Sequence, residues 1–186
     1  MKYTIDQASI LLRLQWESFN EMQLTMLDAA KMENDILLLS NTGSGKTMAF
    51  LLAILQNIDL EIKGTQACIV VPSRELALQV DSVFRKLATP FKVTLCYGGH
   101  KREIEENNLI EAPIIVIGTP GRLGDHIRRG NIKTNAIHLL ILDEYDKGVK
   151  LGFEEEMNFL IKSFHGVKKK ILCSATDAEV LPSFLH

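Results

Sequence analysis

Ser40-Asn41-Thr42-Gly43-Ser44-Gly45-Lys46-Thr47 lies between an apolar run of strand length, Ile36-Leu37-Leu38-Leu39, and an apolar stretch of helical length that starts at Met48. A strand, a tight glycine loop and a helix in immediate succession constrain the chain toward an α/β sheet. Gly43 and Gly45 let the backbone curl so that its N–H groups converge at a helix N-terminus, where the dipole favours negative charge. The chemistry that fits this loop, Thr42 to Thr47, is the phosphate chain of a nucleoside triphosphate. Lys46 supplies a point charge for the β- and γ-phosphates, and the Thr47 hydroxyl is a ligand for Mg²⁺. Ser40 stands where the general pattern has its first glycine.

The rest of the chain repeats the alternation. Strand-length apolar runs fall at 36–39, 67–71, 92–97, 114–118, 138–142 and 170–174, and helical patterns at 48–58, 74–88, 102–110, 122–129 and 154–164. The strand runs are mostly uninterrupted hydrophobics, as in a parallel sheet covered on both faces. Repeated βα units with right-handed crossovers give an open, doubly wound sheet. Residues 1–34 read as a helical N-terminal region with Ile10, Leu11, Leu14, Met22, Met26 and Ala30 as packing residues.

Bulk properties narrow the class. The chain has 186 residues, 46% hydrophobic and 24% charged, which fits one soluble domain. A formal charge of −2 argues against a generally basic coat for nucleic acid and leaves room for a local basic face. Asp6, Gln7 and Arg13 interrupt any secretory signal, and no run approaches the roughly 18 apolar residues of a membrane span. Cys68, Cys96 and Cys173 sit apart inside apolar runs, the pattern of buried reduced thiols in a cytoplasmic protein.

Ligands of such sheets bind at the carboxyl ends of the strands. The unusual residues cluster there: the phosphate loop, Pro72-Ser73-Arg74-Glu75, Gly98-Gly99, Thr119-Pro120-Gly121-Arg122, Asp143-Glu144-Tyr145-Asp146 and Ser174-Ala175-Thr176. Leu139-Leu140-Ile141-Leu142-Asp143-Glu144 is a hydrophobic strand ending in two carboxylates. Asp143 suits Mg²⁺, through water because that ion keeps much of its hydration, and Glu144 suits the base for an attacking water.

Taken in order, these motifs resemble the DEAD-box ATP-dependent RNA helicases over essentially the whole chain. The resemblance implies a RecA-like P-loop fold and the first of two such domains, with the second absent from these residues. It implies ATP and Mg²⁺ as cofactors, and Lys46, Asp143 and Glu144 as catalytic groups. Trp16-x-x-Phe19-x-x-Met22-Gln23 resembles the family's Q motif, with Trp16 against the adenine and the Gln23 amide as donor and acceptor for it. By the same resemblance, Pro72, Ser73, Arg74, Gly99, Thr119, Pro120, Gly121 and Arg122 face the RNA sugar–phosphate backbone without reading sequence. Asp146, Ser174 and Thr176 would link the ATP site to the RNA face.

This sequence departs from the family pattern at Tyr145 (alanine), Ser73 (threonine), Ser40 (a small apolar residue), Trp16 (phenylalanine) and Phe19 (proline). Two other readings remain open. A P-loop kinase leaves 119–122 and 174–176 without a role, and a nucleotide-dependent clamp without turnover leaves Glu144 without one.

Overall fold

The computed structural model describes residues 1–175. The strands are β1 (Ile36–Leu39), β2 (Ala67–Val70), β3 (Val93–Cys96), β4 (Ile115–Gly118), β5 (Leu139–Leu142) and β6 (Lys169–Ser174). They form a six-stranded, all-parallel sheet in the order β1-β6-β5-β2-β4-β3. Helices α1 (Gln7–Leu14) and α2 (Glu21–Ala29) precede β1, α3 (Lys46–Asn57) follows it, and α4 (Arg74–Lys86) follows β2. Next come α5 (Arg102–Ile110), α6 (Pro120–Arg128), α7 (Tyr145–Lys150) and α8 (Glu154–Ser163).

The period of 2 along each strand divides the core in two. Ile69, Ile115, Ile117, Leu139, Ile141, Ile171 and Cys173 point to the face packed by α1, α3 and α4. Cys68, Val70, Val116, Leu140, Leu142 and Leu172 point to the other, packed by Leu123 of α6 and Leu160 of α8. β2, β4 and β5 are buried at every position, which is why they read as unbroken hydrophobics. In α3, Phe50, Leu51, Leu52, Ile54 and Leu55 are at most 1% exposed, and each contributes about 2 kcal/mol by burial. The helix is apolar all round because α2 covers its other side.

Coverage on both faces fails at the edges. β1 alternates half-buried and exposed, with Leu37 at 44% and Leu39 at 42% exposure, because the helices over the second core do not extend past β6 among the described residues. The three thiols are free and buried, and burial pushes each well above the ordinary cysteine range. No described helix is long and apolar enough to cross a membrane.

Local chemistry sets the helix starts. Ser73 caps α4 by accepting from the Leu76 N–H at 3.2 Å, Glu75 lies in its first turn, and Arg85 and Lys86 lie in its last. Pro120 occupies the first turn of α6, where its missing N–H costs nothing. The helix therefore begins ahead of the sequence expectation at 122. The short α7 lies where a loop after Glu144 was expected.

Candidate functional site

All six strands run parallel, so every loop that follows a strand opens on one edge of the sheet. The strand order then sorts those loops. β1, β6 and β5 are neighbours and carry the phosphate loop, Ser174 and Asp143-Glu144; β2, β4 and β3 carry Arg74, Arg122 and Gly99.

On the first side lies a cavity of about 940 Å³ lined by Trp16, Thr42, Gly43, Gly45, Lys46, Thr47, Asp143 and Glu144, and continuing along α4 to Gln79 and Val83. Gly43 and Gly45 have φ of +83° and +93°, the left-handed conformations that curl the loop. Gly45 is the N-cap of α3 and brings no side chain to cap the helix, so its first N–H donors are left for an anion. The Ser44 hydroxyl is buried with no hydrogen-bond partner among the described residues. Lys46 is buried and donates to the carbonyls of Ser40 and Asn41, the latter at 2.8 Å. An uncapped helix end, an unsatisfied hydroxyl and an ammonium hydrogen-bonded to carbonyls fit a phosphate chain.

Asp143 is 5% exposed at the end of β5 and anchored by its N–H to the Val70 carbonyl at 2.9 Å. Burial, with the neighbouring Glu144 charge, raises its pKa to about 6, partly offset by Lys46. A costly buried carboxylate beside the phosphate loop fits a hydrated divalent cation, with Thr47, half-buried in the first turn of α3, as the second group. Glu144 is left-handed (φ 50°), a conformation that costs a non-glycine residue about 1–2 kcal/mol. It turns the chain from β5 into α7, and its carboxylate pairs with Lys147 Nζ at 2.9 Å. Ser174 is fully buried and its carbonyl accepts from the Ser40 N–H at 3.1 Å, tying β6 to the phosphate loop. Asp146 is half-buried in the first turn of α7. Thr176 lies outside the described residues.

Gln23 is only 2% exposed. Its Oε1 accepts from the Asn20 N–H at 3.0 Å and its Nε2 donates to the Gly45 carbonyl at 3.4 Å. Asn20 completes a capping box on α2 and donates to the Ser44 carbonyl at 3.1 Å. The N-terminus of α2 thus holds two carbonyls of the phosphate loop. Asn20 was not singled out in the sequence, although Asn-x-x-Gln is itself a capping signature. Trp16 is 40% exposed on the cavity, with its ring edge-on to Phe19.

On the second side Arg74 is exposed, its guanidinium 5.3 Å from the centre of the Tyr97 ring. Pro72 is buried and Ser73 is engaged as a cap. Gly99 is exposed at φ +81°, and a Cβ there would lie 3.8 Å from the Arg74 guanidinium. Thr119 begins α6 without a side-chain cap, Pro120 is buried, and Gly121 faces open space. Arg122 donates to the His100 carbonyl at 3.1 Å. The parallel strands bring these residues to one edge of the sheet, with Arg74, Gly99 and Gly121 exposed there.

The DEAD/DEAH box helicase family matches residues 20–182. The chain belongs to that family. It is 39% identical over 150 residues to the ATP-dependent RNA helicase DeaD of Escherichia coli K12, covering 79% of this chain and 24% of that protein. It is 35% identical over 179 residues to the ATP-dependent RNA helicase DbpA of the same organism, covering 94% of this chain and 39% of that one. Among solved structures, a DEAD box protein from Methanococcus jannaschii superposes with a TM-score of 0.85 at 28% identity, covering 96% of this chain and 49% of that one. The yeast DEAD-box splicing factor Prp28 gives 0.84 at 26% identity, covering 94% and 45%. The fold is therefore that of the DEAD-box RecA-like domain, and the chain spans about a quarter of the length of the DeaD relatives.

Proposed function

We propose that this chain is the ATP-binding domain of an ATP-dependent RNA helicase that acts in the cytoplasm. The observation that carries the reading is the sorting of loops by strand order, phosphate chemistry over β1, β6 and β5, with exposed Arg74 after β2 and half-buried Arg122 after β4 on the other side. The N–H groups of 42–47 and the Lys46 ammonium bind the phosphates, while Trp16 and Gln23 face the adenine. Thr47 and Asp143 hold hydrated Mg²⁺, which supplies positive charge against the phosphates when bound. Glu144 accepts the proton of the attacking water. Arg74 and Arg122, with the backbone of Pro72, Ser73, Gly99, Thr119, Pro120 and Gly121, hold the sugar–phosphate chain of RNA. Asp146 and Ser174, after β5 and at the end of β6, link the ATP site to the RNA side, a role that Thr176 shares by sequence. A second RecA-like domain, supported by the small share of its relatives that this chain spans, completes both sites.

The test is ATP hydrolysis by the intact protein with and without single-stranded RNA. RNA should stimulate turnover, and Glu144→Gln should remove it while ATP binding persists. Phosphate transfer to an acceptor other than water would move the reading to a kinase. ATP-dependent RNA retention without turnover would move it to a clamp.

A further inference from the structure

Glu105 has no solvent exposure, lies in the first turn of α5, and has no part in the chemistry above. A buried carboxylate is stable only when donors surround it, and Glu105 draws them from the turn after β3 and from helix α6. Its Oε1 accepts from the Tyr97 N–H at 3.1 Å and faces His100 Nδ1 at 3.3 Å. Its Oε2 faces His126 Nε2 at 2.7 Å and pairs with Arg122 Nη1 at 3.5 Å. His126 Nδ1 accepts from Asn131 Nδ2 at 3.1 Å, which leaves the proton on Nε2 to be donated to Glu105.

Cys96, Glu105 and His126 bring their ligand atoms within 4.8 Å of one another, the spacing of a metal site. Both imidazole nitrogens are engaged, both carboxylate oxygens receive donors, and the Arg122 cation stands alongside. The carboxylate and the His126 ring are satisfied without an ion, while Arg122 Nη1 is buried and makes the ion pair but no hydrogen bond among the described residues.

Three of the partners of Glu105 border a loop of the nucleic-acid side, and His126 lies in the last turn of α6. Tyr97 precedes Gly98-Gly99, His100 follows it, and Arg122 lies in the first turn of α6. Tyr97 in turn carries Arg74 over its ring. One carboxylate therefore joins the loops after β3 and β4 and, through Tyr97, reaches the residue that opens α4.

We propose that Glu105 is a positioning residue for RNA: it holds Arg122 and the 97–100 turn in the geometry that grips the sugar–phosphate backbone. The proposal rests on the RNA-binding reading above. Glu105→Met in the intact protein fills the same space without an acceptor. It should raise the RNA dissociation constant about tenfold while ATP affinity stays within about twofold, because the phosphate loop belongs to the other half of the sheet. Glu105→Gln should recover most of the RNA affinity. Its amide oxygen serves Tyr97, and its NH₂ can donate to His126 Nε2 once the ring proton moves to Nδ1 and the Asn131 amide turns its oxygen to accept it. If Glu105 acts through Arg122, Glu105→Met in an Arg122→Ala background should cost much less than it does alone. Should Glu105→Met fail to fold, Glu105→Asp takes its place, too short to span Tyr97 and Arg122 together, and the same loss is expected.

Unchanged RNA affinity in the folded variant, equal losses for RNA and ATP, or full additivity with Arg122→Ala would each overturn the positioning role. Failure of the wild type to bind RNA would instead overturn the functional reading beneath it.

Discussion

Gln23 and Gly45 are packed so closely that any side chain on the glycine collides: a Cβ there would stand 2.7 Å from the Gln23 Nε2. Contact and backbone conformation both demand glycine, since φ is +93°. Gly45→Ala should therefore strain the loop by about 1–2 kcal/mol and displace the amide that steadies it. Nucleotide affinity should fall about tenfold or more, read by titration with a fluorescent ADP analogue. Gln23→Ala removes the same support without the strain. Under the adenine reading it should weaken ADP more than GDP, and equal losses would assign Gln23 to the loop alone.

Asp143 gives a pH signature in the nucleotide-free protein. Its folded pKa of about 6 lies above the ordinary aspartate value, so the fold binds this proton more tightly than the unfolded chain does. The ionised carboxylate then opposes folding above pH 6, and the penalty fades as pH drops to about 4. Asp143→Asn should stabilise the metal-free protein at pH 8 by about 3 kcal/mol, about 8 °C in Tm. At pH 4 the gain should shrink to well under about 1 kcal/mol. Equal melting temperatures at pH 8 would show that burial does not strain this carboxylate.

Tyr145 is the first residue of α7, 2% exposed, and packs with Leu142, Leu160 and Phe164 in the second core. Its truncation leaves a cavity. Tyr145→Ala should cost about 3 kcal/mol in urea unfolding, with RNA-stimulated turnover preserved below the transition. A variant that keeps its stability and loses turnover would give the ring a catalytic part.

The fold was legible because its strands are buried on both faces and its loops carry glycine, proline and charge at the strand ends. Runs such as 67–70 and 139–142 are too short for a helix and are closed by turn or charged residues, which marks them as buried strands. The uncovered face of β1 was not legible, because Ile36-Leu37-Leu38-Leu39 is apolar at every position whether or not both faces are covered. Lys46, Asp143 and Glu144 were legible as local motifs. Asn20 and Glu105 were not singled out: each is an ordinary polar residue near a helix N-terminus, given its place by partners in other elements. His126 lies 21 residues from Glu105, and the Asn20 contact with Ser44 spans 24.

The most direct measurement takes the 186-residue chain alone and follows Mg·ATP binding and hydrolysis, with and without RNA. The chain should bind nucleotide, and Lys46→Ala should weaken that binding about tenfold or more. Turnover should stay far below that of the intact protein, because arginine supplied by another element is worth about 10³–10⁵ in phosphoryl transfer. Binding indifferent to Lys46→Ala, or RNA-stimulated turnover by the chain alone at the intact protein's rate, would contradict a nucleotide site that is built here and completed elsewhere.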